Sequence, residues 1–284
     1  MPIDEALITS DANEAPEILR SRFQEWGYLY FKQYAASTQC AALLTDILSC
    51  LSPYVTLDES RQLPIMTGEA FVETDAIWDE VYPKIQALES FHGLFHDPHL
   101  LKLMRMVSNS EVFVYPMKMA RISTPRMVGY ETPPHQDARS HVAPSSMAGI
   151  WVALHDISTE MGRLKILPAS HRRGMREIIQ SPGVGNVQCE IYPDETTWHV
   201  SDVVQGDVII FNAFTVHAAQ PNTSNSVVRM SVDTRFCDYG APVFSSNLEP
   251  HHGWRIDQLS WPQIYAYWQK TDLQYYWADY PNFT

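Results

Sequence analysis

Apolar residues recur at two different intervals in this chain, and the interval changes near residue 110. Before that point they fall three and four apart. Ala15–Trp26 keeps Ile18, Phe23 and Trp26 at helical spacing and stops at Gly27. Ser37–Leu51 opens on a Ser/Thr cap signal and aligns Leu43, Leu44, Ile47, Leu48 and Leu51 on one face. Asp75–Phe91 and Asp97–Val107 follow the same scheme, each headed by an aspartate. Between the first two, Tyr28–Phe31 is a short apolar run suited to a strand. The spacing predicts a mostly helical layer over about residues 15–110.

Beyond it the texture is that of short β-branched and aromatic runs cut by Pro, Gly, Asn and Ser. These are Glu111–Ala120, Ala148–Asp156, Leu164–Leu167, Thr197–Ser201, Asp207–Phe211 and Val227–Phe236. Such spacing predicts an antiparallel sandwich or barrel over about 111–236. The Trp- and Tyr-rich tail Ser260–Ala278 returns to helical spacing, giving an expected C-terminal helical extension over about 255–280. No repeat or low-complexity linker interrupts the chain, so residues 1–284 read as one mainly β domain with helices packed on it at both ends.

Composition narrows the function. At 45% hydrophobic residues the chain has enough apolar material for a sizeable core, which excludes general disorder. The net charge of −13 would be repelled by a phosphate backbone, so nucleic acid is not an expected partner. The charge is uneven: residues 101–200 hold 11 basic and 9 acidic groups, the first hundred 5 and 16. The mid-chain excess, around Arg121, Arg126, Arg139, Arg163, Arg172 and Arg173, is where an anionic small molecule would be welcome. Four scattered cysteines without a metal-type spacing read as free thiols in a reducing compartment. With no apolar leader and no membrane-length apolar run, a soluble cytoplasmic protein acting on a small molecule is expected.

Two places carry chemistry. In Thr132-Pro133-Pro134-His135-Gln136-Asp137, an extended backbone puts His135 and Asp137 on one face. Eighty residues after Asp137, His217 follows the buried-strand signal Gly206-Asp207-Val208-Ile209-Ile210-Phe211. A closed sheet can bring such distant positions together at its mouth. Two histidines and one carboxylate make a facial triad that holds Fe(II) and leaves positions open for other ligands. Twelve residues past His217, Arg229 and Ser231 share a strand face inside the apolar run VVRMSVDTRF. An unpaired charge is costly there, and a guanidinium beside a hydroxyl can grip a carboxylate with its fork.

These residues bring a family into view. HQD, the stretch WVALHDISTEMGRLKILPASHR, GDVIIFN with His217, and RMSVDTRF resemble the phytanoyl-CoA dioxygenase-like branch of the Fe(II)/2-oxoglutarate oxygenases. Trp151, Asp156, Gly162 and Pro168-Ala169-Ser170-His171 fit that family's pattern, and the likeness spans about residues 15–236. The resemblance implies a double-stranded β-helix core of the jelly-roll or cupin-like kind. It implies iron bound by His135, Asp137 and His217, with 2-oxoglutarate and O2 as co-substrates. Arg229 would then pair with the distal carboxylate of 2-oxoglutarate, assisted by Ser231. Lys118 would offer a further polar co-substrate contact, and Trp151 would sit in the core beside the co-substrate. Arg139, Ser140 and His141, next to the triad, would face the substrate.

Halogenases of the family carry Ala or Gly where this chain has Asp137, so the resemblance implies oxidation, by default hydroxylation, with release of succinate and CO2. The expected substrate is a small polar metabolite or a natural-product intermediate. The competing readings are an acyl-CoA hydroxylase of the same family, and a non-redox metal enzyme or binding protein on the same β-fold. Other polar features carry less. His92 and His96 stand four apart as a zinc pair would, but lack an HExxH context; Arg172-Arg173 and His251-His252 read as turns. Ser123–Ser146, rich in Pro and Ser, is the expected cover of the site.

Overall fold

The computed structural model describes residues 3–183, 186–251 and 259–283. In chain order it runs β1 (Ile3–Glu5), α1 (Pro16–Trp26), β2 (Tyr28–Phe31), α2 (Ser37–Leu51), β3 (Val55–Asp58) and β4 (Leu63–Met66). Next come α3 (Ala76–Gln86), α4 (Glu89–Leu94), α5 (Pro98–Ser108), β5 (Val112–Ser123), α6 (Asp137–Ser140), β6 (Ala148–Ala153) and β7 (Leu164–Ile166). The rest is β8 (Ile178–Gln180), β9 (Val187–Cys189), β10 (Thr197–Val200), β11 (Val208–Asn212), β12 (His217–Ala219), β13 (Arg229–Asp238) and α7 (Trp261–Tyr265).

Two sheets form the core. One has the order β2-β11-β6-β13-β5 and the other β1-β10-β7-β12. The five-stranded sheet is buried on both sides, so β2, β6 and β11 are apolar almost throughout, while β13 and β5 also bury polar and charged side chains. Their alternation shows instead in what each residue meets. Leu29, Phe31, Ile150, Val152, Val208, Ile210 and Val232 join α1 to α5 in one large cluster. Tyr28, Tyr30, Trp151, Ile209 and Phe211 face the opposite way, meeting Ile166 of the smaller sheet. Each fully buried aliphatic on these faces contributes about 1.5–3 kcal/mol of transfer free energy. This is the jelly-roll, double-stranded β-helix architecture with a helical layer on one sheet.

Several local expectations need correction. In α1 the buried residue is Leu19, while Ile18 is 51% exposed. α2 begins one residue earlier than its cap signal suggests: Ala36 occupies the N-cap and no side chain caps it. The run over 75–91 breaks into α3 and α4 at Ala87–Leu88. Asp97 does cap α5, accepting from the His99 amide at 2.8 Å. The first 110 residues also contain the β3–β4 hairpin, too short for its periodicity to register. Among the described residues of the tail only Trp261–Tyr265 is helical; the aromatic spacing there serves ring contacts among Trp261, Tyr265, Trp268 and Trp277. His252 lies outside the described residues. All four cysteines are free, and no helix is long and apolar enough to cross a membrane among the described residues.

Candidate active site

His135 and His217 are joined by their backbones. Each amide donates to the other's carbonyl, at 3.0 and 3.1 Å, extending β12 by one bridge. The imidazole rings lie 4.1 Å apart between centroids. Asp137 opens α6, two residues on, and its Oδ1 stands 3.8 Å from His135 Nε2 and 3.9 Å from His217 Nε2. Among the described residues these three form a group whose ligand atoms all lie within 4.8 Å of one another.

The ring tautomers follow from the hydrogen bonds. His135 Nδ1 is 2.9 Å from the Pro133 carbonyl and His217 Nδ1 is 3.1 Å from the Thr215 carbonyl. A carbonyl only accepts, so both Nδ1 atoms carry the proton and both Nε2 lone pairs are left for a metal. Burial keeps the histidines neutral, taking His217 down to about 3 with the His135 ring adding to it. Burial works against ionisation of Asp137, but Arg235 and the neighbouring histidines outweigh it and hold the carboxyl well below its ordinary range. Two neutral imidazoles and one carboxylate are the donor set that suits Fe(II).

One cleft is lined by His135 and His217 together with Trp151, Leu164, Phe211 and Arg229. Arg229 is 7% exposed and has no ion-pair partner among the described residues. Its Nη1 donates to Ser231 Oγ at 3.0 Å and its Nε to the Gly162 carbonyl at 3.1 Å. That carbonyl is available because Gly162 turns with φ +83°, where a Cβ would stand 2.5 Å from the Gln220 carbonyl. Burial, with Arg121 nearby, lowers the Arg229 pKa to about 10. The other wall is built by Phe71, Val72 and Glu73 and by the segment from Ser123 to Thr132.

Of the residues named from the sequence, Asp137 and Ser231 do not line the cleft but adjoin the His135–His217 pair and Arg229, whereas four others are directed elsewhere. Lys118 points to the helical side of β5: its Nζ donates to the Tyr115 carbonyl at 3.0 Å and lies 5.8 Å from the Tyr276 ring centroid. The pleat gives the inward position to Arg121 instead. Arg139, Ser140 and His141 are carried off by α6, whose helical turn ends the extended alternation at Asp137. Arg139 donates to the Arg176 carbonyl, Ser140 to the Asp137 carbonyl, and buried His141 meets Asn247 Oδ1 at 2.6 Å. The mid-chain arginines are occupied too: Arg121 by Asp233, Arg163 by Asp202 and Arg173 by Asp194. His92 donates to the Gln86 carbonyl within the helical core.

Two residues escaped the sequence reading, and a third, Arg121, was named only as part of the mid-chain positive charge. Asp233 and Arg235 continue the Arg229–Ser231 face of β13 by the same two-residue step, and Arg121 faces them from β5. The signal was the period itself, carried two steps further. Arg121 Nε lies 2.7 Å from Asp233 Oδ1, and Arg235 pairs with both Asp233 and Asp137.

Comparison with known proteins agrees with this architecture. The family described as phytanoyl-CoA dioxygenase (PhyH) matches residues 23–231. A 1-deoxypentalenic acid 11-beta-hydroxylase of Streptomyces exfoliatus is 26% identical over 234 residues, covering 77% of this chain and 80% of the relative. The phytanoyl-CoA dioxygenase domain-containing protein 1 of Mus musculus is 25% identical over 289 residues, covering 86% and 97%. Among solved structures, the non-heme alpha ketoglutarate dependent carbocyclase SnoK from nogalamycin biosynthesis superposes with a TM-score of 0.59 at 19% identity, covering 89% and 93%. The epimerase SnoN, crystallised with Fe3+, alpha ketoglutarate and nogalamycin RO, gives 0.58 at 20% identity, covering 81% and 86%.

Proposed function

The chain belongs to the phytanoyl-CoA dioxygenase family of Fe(II)- and 2-oxoglutarate-dependent oxygenases, and on that premise we propose that it hydroxylates a small natural-product intermediate or related metabolite. In this reading His135, Asp137 and His217 hold the iron, while Arg229 and Ser231 hold the distal carboxylate of 2-oxoglutarate. The observation that supports it best is Arg229: a buried guanidinium with no ion-pair partner among the described residues, lining the same cleft as His135 and His217. A diacid co-substrate brings the charge that this site lacks.

Bound Fe(II) supplies the coupled chemistry, in which 2-oxoglutarate, O2 and a substrate C–H bond give succinate, CO2 and C–OH. The protein's own residues do the rest. The Nδ1–H donors to Pro133 and Thr215 aim the two Nε2 atoms, and Asp137 offsets part of the cation's charge. Trp151, Phe211 and Leu164 form the apolar wall between the triad and Arg229, where they exclude water.

For the substrate, Phe71, Val72, Met127 and Tyr130 offer an apolar surface, with Glu73, Glu131 and Thr132 as polar contacts. Among the described residues the cleft lining has no Lys or Arg besides Arg121 and Arg229. That disfavours the phosphates of an acyl-CoA and favours a compact molecule with an apolar body, of the kind the Streptomyces hydroxylase's name describes. Four unpaired thiols suit a cytoplasmic setting.

The test is an anaerobic titration with Fe(II) and then 2-oxoglutarate, followed by the visible charge-transfer band of the chelate. The band should form, and His217→Ala should abolish both it and succinate release. Iron binding without the band would move the assignment to a non-redox metal enzyme.

A further inference from the structure

One buried residue on the inner face of β13 has no task in that scheme. Arg235 is 1% exposed and lies six residues beyond Arg229 on the same side of the strand. Its guanidinium meets both oxygens of Asp137: Nη2 donates to Oδ1 at 2.8 Å, while Nε stands 2.7 Å from Oδ2 as an ion-pair contact without hydrogen-bond alignment. Nη1 donates to Asp233, which in turn accepts from Arg121 at 2.7 and 3.2 Å. The four charges alternate in sign from β5 across β13 to the first residue of α6.

Arg235 touches both carboxylate oxygens, and Oδ1, the one nearer the histidines, also accepts its hydrogen bond. Asp137 Oδ1 is the atom 3.8 and 3.9 Å from the two Nε2 atoms. Oδ2 is turned towards Arg235 and towards Gly149, where an added Cβ would stand 3.3 Å from it. A carboxylate without such a clamp is free to rotate and offer a cation both oxygens, closing a position that a co-substrate needs. A lysine would supply the charge but not the planar grip.

We propose that Arg235 is a positioning residue: it fixes Asp137 so that one oxygen joins His135 and His217 at the metal, with Asp233 and Arg121 bracing the guanidinium from behind. The proposal rests on the metal reading of the three ligands. It concerns the shape of the site rather than its charge, so Arg235→Lys separates the two.

The test uses Co(II), a redox-inert spectroscopic probe, added to the full-length protein without 2-oxoglutarate. Arg235→Lys should bind Co(II) roughly 10–100-fold more weakly, the usual cost of losing a group that orients a ligand. At saturation its ligand-field spectrum should differ from wild type in band shape and intensity. That spectrum reports coordination in the folded fraction, so general destabilisation would not move it. Identical affinity and spectrum in Arg235→Lys would overturn the proposal alone, whereas wild-type protein that takes up no Co(II) would overturn the metal reading beneath it. If Arg235→Lys has no cooperative thermal transition, Asp233→Asn replaces it. That variant keeps the Arg235–Asp137 contact but removes its brace, and a smaller change in the same direction is expected; an unchanged spectrum and affinity would count against the proposal.

Discussion

The two sides of β13 are made from alternate residues of one ten-residue strand, yet they obey different rules. Met230, Val232 and Phe236 face the helices and belong to the main apolar cluster. Arg229, Ser231, Asp233 and Arg235 face the interior between the sheets and are no less buried. On the first side stability grows with area removed from water. On the second every group must find a partner, because a buried unpaired charge costs several kcal/mol. All four interior residues bond to one another or to Arg121 and Asp137. Arg229 differs in having no ion-pair partner among the described residues, and that incomplete account of charge is what supports the proposed co-substrate site.

That contrast can be broken from either side. The largest effect on function should come from Arg229→Ala, which removes the cation proposed to face the co-substrate. We expect the 2-oxoglutarate requirement to rise about 100-fold or more, the scale for losing one partner of a buried pair, with Co(II) affinity unchanged in a direct titration. A wild-type dependence on 2-oxoglutarate in this variant would mean that the cation serves packing only.

On the apolar side Ile210→Ala should cost about 2–5 kcal/mol in chemical denaturation, for lost transfer energy plus the cavity. Activity per folded molecule should stay near wild type. If turnover collapsed while stability held, the two faces would not be separable as described.

Acid should weaken the metal-free protein in two stages. Burial is the main cause of the lowered pKa values of His141 and His155, both to about 4, and of His217, to about 3. A histidine with a depressed folded pKa stabilises fully above its unfolded value of about 6.5 and loses that contribution as pH falls towards the folded value. Asp233 is opposed by burial but held at about 2 by Arg121 and Arg235, so its share disappears between about pH 4 and 2. Denaturation midpoints measured from pH 7 to 3 should therefore decline from near 6.5 downwards. A flat profile between pH 7 and 5 would contradict the buried neutral histidines.

The smallest effects are expected where the sequence pointed and the cleft does not reach. Arg139→Ala and Lys118→Met should leave the 2-oxoglutarate requirement within about twofold, since neither side chain lines the cleft. Lys118→Met may be read by succinate release alone. A tenfold rise in either variant would restore that residue to the co-substrate or substrate surface.

How far the chain could be read without coordinates follows from the range of each signal. The strands at the centre of the large sheet were legible for two reasons: β6 and β11 leave apolar words five to six letters long, and β13 shows a β-branched and aromatic run with a two-residue polar step. The pairing of His135 with Asp137, and of Arg229 with Ser231, was legible because a two-residue step needs only a local extended backbone. The sequence missed β1, β8, β9 and β12 because three residues are too few for any period to show. It also extended the tail helix well past Tyr265, where the aromatic spacing reflects ring packing.

Local chemistry thus specified the ligand types, their spacing and the family. Closure of the two sheets chose which side of each strand would look inward, sending Lys118 to the helices and Arg121 to the cleft. It also brought Arg235 to Asp137 across 98 residues of chain. Alternation along a strand is a property of neighbouring peptide units and is written in sequence. Which of the two faces becomes the interior depends on what packs against each, and that is settled when distant segments meet.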